Sequence, residues 1–272
     1  MFHAKNFIFN GIPSETYGLH IGEMNSSGES TTDGSGDVSL LTQKIYRRPV
    51  PYLFGTEQTP CLQFPLSIYS ENEITASAYS NISSWLFGKS EYGILRICQD
   101  DMSDVFYRCF LTNPQTIRVG NIIRGFTTTV ISDSPWAWKE PKTLNYTFTG
   151  VEPVTNILFF NESANSFYTY PTNMVIRANQ YSGYIMITNV SDNSRMSKLG
   201  VTSGSVQLLS GNEVITLNCD LQLISSSLTN RPYPLQIFNQ KWPRFIQGIN
   251  NLRINGNIAS LNFTYPVAFK AG

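Results

Sequence analysis

From Phe7 onward the chain is written in short apolar runs broken by Gly, Pro, Asn and Ser, beginning FIFNGI, YGLHIGE and, further on, VSLLTQKIYRR. That spacing predicts the antiparallel strands of a sandwich or barrel. Residues 25–37 hold Ser, Gly and Thr with no apolar anchor, and predict a mobile loop. The stretch SENEITASAYSNISSWLFGK changes period. Ile74, Ala78, Ile82, Trp85 and Leu86 recur at helical spacing, Ser70 and Glu73 form a capping box, and Gly88 suits a left-handed stop. One amphipathic helix packed on a sheet is expected here.

The following text, YGILRICQDDMSDVFYRCFLTNPQTIRVGNIIRGFTTTVISDS, reads as three or four strands with Asp-rich and Asn-Pro turns. PWAWKEP then interrupts: prolines lack the donor that a sheet ladder needs, so this segment should not continue a central strand. A domain boundary is expected near Glu140, giving domains 1–140 and 141–272. From Lys142 the strands are LNYTFTG, NILFFN, NMVIRAN, YIMITNV, VQLLSG and NEVITLNCDLQLIS, with turn residues at the spacing of a sandwich. Val206 and Leu208 pair in pattern with Val214 and Thr216 across Ser210-Gly211-Asn212. The ending, QKWPRFIQGINNLRINGNIASLNFTYPVAF, reads as a closing hairpin in which Trp242 anchors the core, Pro243 keeps the lead-in off a central ladder, and Gly248–Asn251 makes the turn. The fold class is therefore mainly β: an N-terminal β-sandwich or barrel-like domain with one α-helix, then a C-terminal β-sandwich.

Composition removes most chemistry. Of 272 residues 19 are Lys or Arg and 19 are Asp or Glu, so no long-range attraction to phosphate or an anionic membrane is expected. The N-terminus lacks the apolar core of a secretory signal, and no window spans a bilayer, so the chain is expected to be made and kept in a cytoplasm. Cys61, Cys98, Cys109 and Cys219 form no C-x-x-C pair and are read as free thiols, a Cys98–Cys109 link being the alternative. The only histidines are His3 and His20, too few for a zinc site or a Ser or Cys hydrolase. No G-x-S-x-G elbow and no phosphate loop occurs. Asp100, Asp101 and Asp104 could gather around calcium, but read better as a solvated turn; Asp33 and Asp37 stand in the polar linker. A glycosidase carboxylate pair would meet in space and leaves no sequence spacing to find. No catalytic, cofactor-binding or metal residue is expected. The 17 Phe, 14 Tyr and four Trp are the positive signal: core or interface rings, or else a sugar-binding platform, best placed at Phe167, Tyr168 and Tyr170.

Three segments together resemble the distal tail protein of long-tailed, non-contractile bacteriophages. They are FIFNGIPSETYGLHI with its Asn-Gly turn; SSWLFGKSEYGILRI with Trp85, running on to SDSPWAW with Pro135, Trp136 and Trp138; and Trp242 followed by Gly248 and Asn250. The resemblance implies a structural virion protein with no cofactor. Its N-terminal domain would form a hexameric ring, and its C-terminal domain would be a galectin-like β-sandwich. The ring would join the major tail tube protein to a tail-associated hub or lysin-bearing protein, with receptor-binding or baseplate proteins docking at its edge. DNA would cross its channel without specific binding. Assembly is expected in the host cytoplasm, without a membrane. Longer family members carry inserted sugar-binding modules or arms, and no insertion of that size is visible here. A carbohydrate-binding, lectin-like module for host adhesion is the alternative function.

Overall fold

The structure, a computed structural model, describes residues 5–22, 38–58, 60–148, 154–200, 208–231 and 234–270. The chain divides into two compact units, Met1–Lys139 with Phe269–Gly272, and Glu140–Ala268. The architecture is mainly β with multiple antiparallel sheets, and one α-helix lies among the described residues.

In the first unit β1 (Phe7–Phe9) turns through Asn10 and Gly11 into β2 (Ile12–Pro13). Both turn residues hold positive φ, 50° and 77°, which is why an Asn-Gly pair closes this two-residue hairpin. Then follow β3 (Leu19–Ile21), β4 (Val38–Gln43), β5 (Tyr52–Gln58), β6 (Gln63–Ser70), helix α1 (Ala76–Leu86), β7 (Gly93–Ile97), β8 (Val105–Val119), β9 (Ile122–Ser132) and β10 (Ala137–Thr147). Antiparallel pairing runs β2–β1–β7–β8–β9–β6–β3. Inward residues of these strands, among them Phe7, Leu66, Ile68, Leu95, Tyr107 and Phe126, meet Ile82, Trp85 and Leu86 of α1 in one core. β4 and β5 stand apart, pairing only with each other.

Three expectations change here. The helix begins later than the capping box would place it: Thr75 is the N-cap, its side chain accepting from the Ala78 amide at 3.3 Å, while the Ser70 hydroxyl caps Asn72 in the loop before it. Ile74 is buried ahead of the helix, and Gly88 takes no left-handed conformation, since the helix already ends at Phe87. Asn113-Pro114 makes no turn but a bulge inside β8: Asn113 has φ 52° and the register with β9 shifts between Thr112 and Gln115, so no ladder bond is demanded of the proline. Likewise β10 continues through Pro141 as strand, past its pairs with β8 at Trp138 and Lys139 and on into the part of β10 that lies beside β18. The predicted loop at residues 25–37 lies outside the described residues.

The second unit holds β11 (Val154–Asn161), β12 (Asn173–Ala178), β13 (Ile185–Asn189), β14 (Arg195–Leu199), β15 (Val214–Asn218), β16 (Leu223–Ser226), β17 (Gly248–Gly256) and β18 (Ile258–Phe269), with β10 from Glu140. One sheet has the order β16-β15-β12-β18-β10 and the other β11-β17-β13-β14. Ile157, Phe159, Ile187, Leu252 and Ile254 from the four-stranded sheet share a core with Met174, Ile176, Leu217, Leu261 and Phe263 from the other, which makes this unit a sandwich.

The hairpin expected across Ser210-Gly211-Asn212 is absent from the described residues. Leu209 bridges Gly183, and β15 pairs instead with β12 and β16; Val206 lies outside the described residues. The closing hairpin is also revised. Gly248–Asn251 is the start of β17, and β17 and β18 belong to different sheets, so their connection at Gly256 and Asn257 is an arch from one sheet to the other.

Candidate functional site

The aromatic positions singled out by the sequence fall into two kinds. Trp85 is interior: it stacks on Phe7 (ring centroids 5.9 Å) and Tyr17 (4.9 Å), and its indole N–H donates to the Phe9 carbonyl at 3.1 Å, tying α1 to β1. Pro135 is half-buried and Trp136 buried, the Trp136 carbonyl accepting from the Ser134 hydroxyl. Trp138 is half-buried. Its indole N–H donates to Asp133 Oδ1 at 3.1 Å, the Arg108 guanidinium lies 4.4 Å above its ring, and Arg108 Nε meets Asp133 Oδ2 at 2.7 Å.

In the second unit Trp242 is buried edge-on against Phe238 at 4.9 Å, and its carbonyl accepts from Arg195 Nε. Gly248 has φ 85° and opens β17 with free space where a side chain would stand. Asn250 is fully buried and organises the segment before it. Its Oδ1 accepts from the Ile246 amide (3.0 Å) and from Asn189 Nδ2 (2.9 Å), and its Nδ2 donates to the carbonyls of Ile246 (2.8 Å) and Gly248 (3.1 Å). Every polar atom of the amide is used, as burial requires. Phe167, Tyr168 and Tyr170 face different surroundings: Phe167 is exposed, Tyr168 lies 3.4 Å beneath the Arg244 guanidinium, and Tyr170 packs on the core.

Sequence reasoning missed the polar anchors. Arg244 clamps Asp192 with two bonds, 2.7 and 3.2 Å, and this bonding raises the guanidinium further above its ordinary range. Glu213, fully buried, pairs with Arg231 at 2.7 Å and accepts from the Ser210 amide and the Ser226 hydroxyl. The two ion pairs join residues 52 and 18 positions apart, so no local pattern could announce them. A small space beside Arg244, lined by Asn189, Arg195 and Ser197, holds about 10 Å³, room for one water at most.

The reactive groups are dispersed. Asp100 and Asp101 sit in a short 3-10 turn, Gln99 donating to Asp101, while Asp104 pairs with Lys139 at 3.0 Å. Among the described residues no group of three His, Cys, Asp or Glu could hold a metal ion; Asp33, Asp37 and His3 lie outside them. His20 lies in β3 against Asn6. The four cysteines are free. Burial pushes the Cys109 and Cys219 thiols up to about 12.

The most unusual surface is the β4–β5 hairpin. Leu40, Leu41, Ile45, Tyr46, Val50 and Phe54 are exposed, Tyr46 at 85% and Phe54 at 69%. None of the hairpin's described side chains enters either core. Arg48 stacks at 3.9 Å over Tyr52, leaving a basic turn with Lys44 and Arg47. A lone two-stranded hairpin is marginal in water, and apolar residues on both of its faces mark it for burial against another chain.

A sheet-and-helix unit that carries an exposed apolar hairpin, followed by a sandwich unit, is the make-up of a structural protein. Residues 2–134 match the model for a phage tail protein N-terminal domain and residues 136–265 that for a phage tail C-terminal domain; the chain belongs to this family of phage tail proteins, and so to the virion. No curated protein matches it. Its fold is similar to that of the Dit protein of phage SPP1, described as a paradigm of the hub adsorption apparatus in phages infecting Gram-positive hosts. The TM-score is 0.64 at 10% identity, over 96% of this chain and 98% of that one. The baseplate of phage P2 in its activated conformation with Ca gives a TM-score of 0.47 at 9% identity, over 97% of each chain.

Proposed function

We propose that the chain is the hub of a siphophage tail tip, a hexameric ring made by the first unit that joins the tail tube to the tip or baseplate, with DNA passing its central channel. The observation that carries this reading is the β4–β5 hairpin: its apolar faces have no intramolecular core to enter, and a neighbouring copy of the same chain would supply one. The second unit, read as a galectin-like sandwich, faces outward in this scheme and offers docking area to receptor-binding or baseplate proteins. The part is mechanical and non-enzymatic, and the balanced charge suits a channel that lets DNA through without holding it. Assembly takes place in the host cytoplasm, against the tail tube protein on one side and a tail-associated protein on the other.

Light scattering on the eluted protein, with negative-stain imaging, tests this. A six-fold ring is expected, and the double substitution Leu53→Ser with Phe54→Ser should give monomers that melt as the parent monomer does, since neither side chain belongs to a core. A chain that stays monomeric at high concentration sinks the ring.

A further inference from the structure

The outer face of the four-stranded sheet in the second unit has an unusual make-up. Strand alternation and register place Leu158 opposite Asn251, Phe160 opposite Ile249 and Asn156 opposite Arg253, while Met186 pairs with both Asn255 and Lys198. At one end Leu158, Phe160 and Ile249 are 68%, 58% and 66% exposed. At the other stand two cations, Arg253 and Lys198, the latter 5.3 Å above the exposed ring of Tyr184. Among the described residues the outward positions of β11, β13, β14 and β17 carry no carboxylate and Arg253 has no acidic partner. Asn251 and Asn255, two residues either side of Arg253, each hold a buried amide oxygen with no hydrogen-bond donor. Folded proteins leave few such atoms unpaired, and each calls for an explanation. The terminal torsion of an asparagine is broad, so either amide can turn outward to meet a hydroxyl that arrives at Arg253.

We propose that this face binds an anionic glycan, a chain of sugar rings carrying carboxylate or phosphate. The acid-free pair of cations supplies the charge complementarity, the Arg253 guanidinium being suited to a planar or tetrahedral oxyanion. The Asn251 and Asn255 amides accept from sugar hydroxyls. Phe160, with Leu158 and Ile249 beside it, offers the apolar face on which a pyranose ring lies. The inference rests on the tail-tip reading in one respect only: the glycan is taken to be on the surface the tail meets.

The test uses the full chain, titrated calorimetrically with hyaluronan oligosaccharide as the carboxylated probe, poly(glycerol phosphate) as the phosphorylated one, and neutral dextran. At least one anionic probe should bind and dextran should not, with affinity falling as salt is raised. Arg253→Gln should weaken binding about tenfold or more, the loss expected for one charge-assisted contact, and Phe160→Ser should weaken it at constant salt dependence. Arg177→Gln, on β12 of the other sheet, should leave it unchanged. Silence of both anionic probes, equal binding of dextran, or equal sensitivity to Arg177→Gln overturns the proposal. Light scattering on the same samples separates the two readings: rings that bind no glycan refute only the site, monomers that bind it refute only the ring. Rings lost on Phe160→Ser would show this face buried between copies, and would also overturn the site.

Discussion

Trp242 and Trp138 differ although both stand in the segments that carry the family resemblance. Trp242 lies in the sandwich core against Phe238, so Trp242→Ala should lower stability by about 3–5 kcal/mol, the usual cost of a large core truncation. Thermal unfolding of the second unit reads this directly, and an unchanged melting temperature would refute the core role. Trp138 is half-buried under Arg108, so its loss removes a surface stack instead. The buried thiols add a pH dependence. Cys219 ionises near its ordinary value of 9.0 in the unfolded chain but only at about 12 in the native one. Between those limits the unfolded state gives up a proton that the native state keeps. Stability is therefore full below about pH 9 and falls as pH rises toward 12, by up to about 1.4 kcal/mol per pH unit for one thiol. Cys219→Ala should flatten that slope in the second unit, measured by urea unfolding at a series of alkaline pH values. Tyr265, also raised to about 12 by burial, should leave a residual slope.

At the level of elements, what could be read from the sequence was what alternation encodes. β6, with the burial pattern of every second residue inward, and β12, β13 and β15 follow their apolar spacing. β14 escaped notice because RMSKL has a charged residue on each face, Arg195 beside the inward Ser197 and Leu199 and Lys198 on the other, so no apolar alternation marks it. Prolines misled twice: at Pro114 a bulge removes the demand for a ladder bond, and Pro141 lies past the residues of β10 that pair with β8. The helix was evident from its period, but its start was decided by Thr75, since capping chemistry competes locally and Ser70 serves the preceding turn. The largest revision concerns Gly256. Local pattern sees two strands and a turn and supplies a hairpin; only the tertiary pairing separates β17 from β18 into two sheets. The arch brings Gly256 against Tyr184 with φ 106°, where an added Cβ would lie 1.9 Å from the Tyr184 carbonyl oxygen. Gly256→Ala should cost roughly 2–4 kcal/mol, at the severe end for a single substitution, whereas Gly248→Ala, with open space around it, meets only the strain of its positive φ. Comparing the two melting temperatures separates collision from strain.

For the molecule as a whole, the paired polar groups are spent on architecture: Asn250, Asp192 with Arg244, and Glu213 with Arg231 hold loops onto the sandwich. Asn250 was singled out in the sequence, though not for its bonding; the two ion pairs were not, because each joins positions with no periodic relation. In a family of phage tail proteins, the exposed apolar side chains of the first unit concentrate on the β4–β5 hairpin, as those of the four-stranded sheet do at Leu158, Phe160 and Ile249. On the proposed ring, that hairpin would tie folding to mass action. A segment that gains its core only from another chain has a stability set by the concentration of that chain, as for any obligate assembly. In dilute solution residues 38–58 would open and close freely, offering Lys44, Arg47 and Arg48 to a protease, while the two cores stay intact. On the proposed ring the same residues would become ordered as copies accumulate, and assembly would then have a concentration threshold of its own.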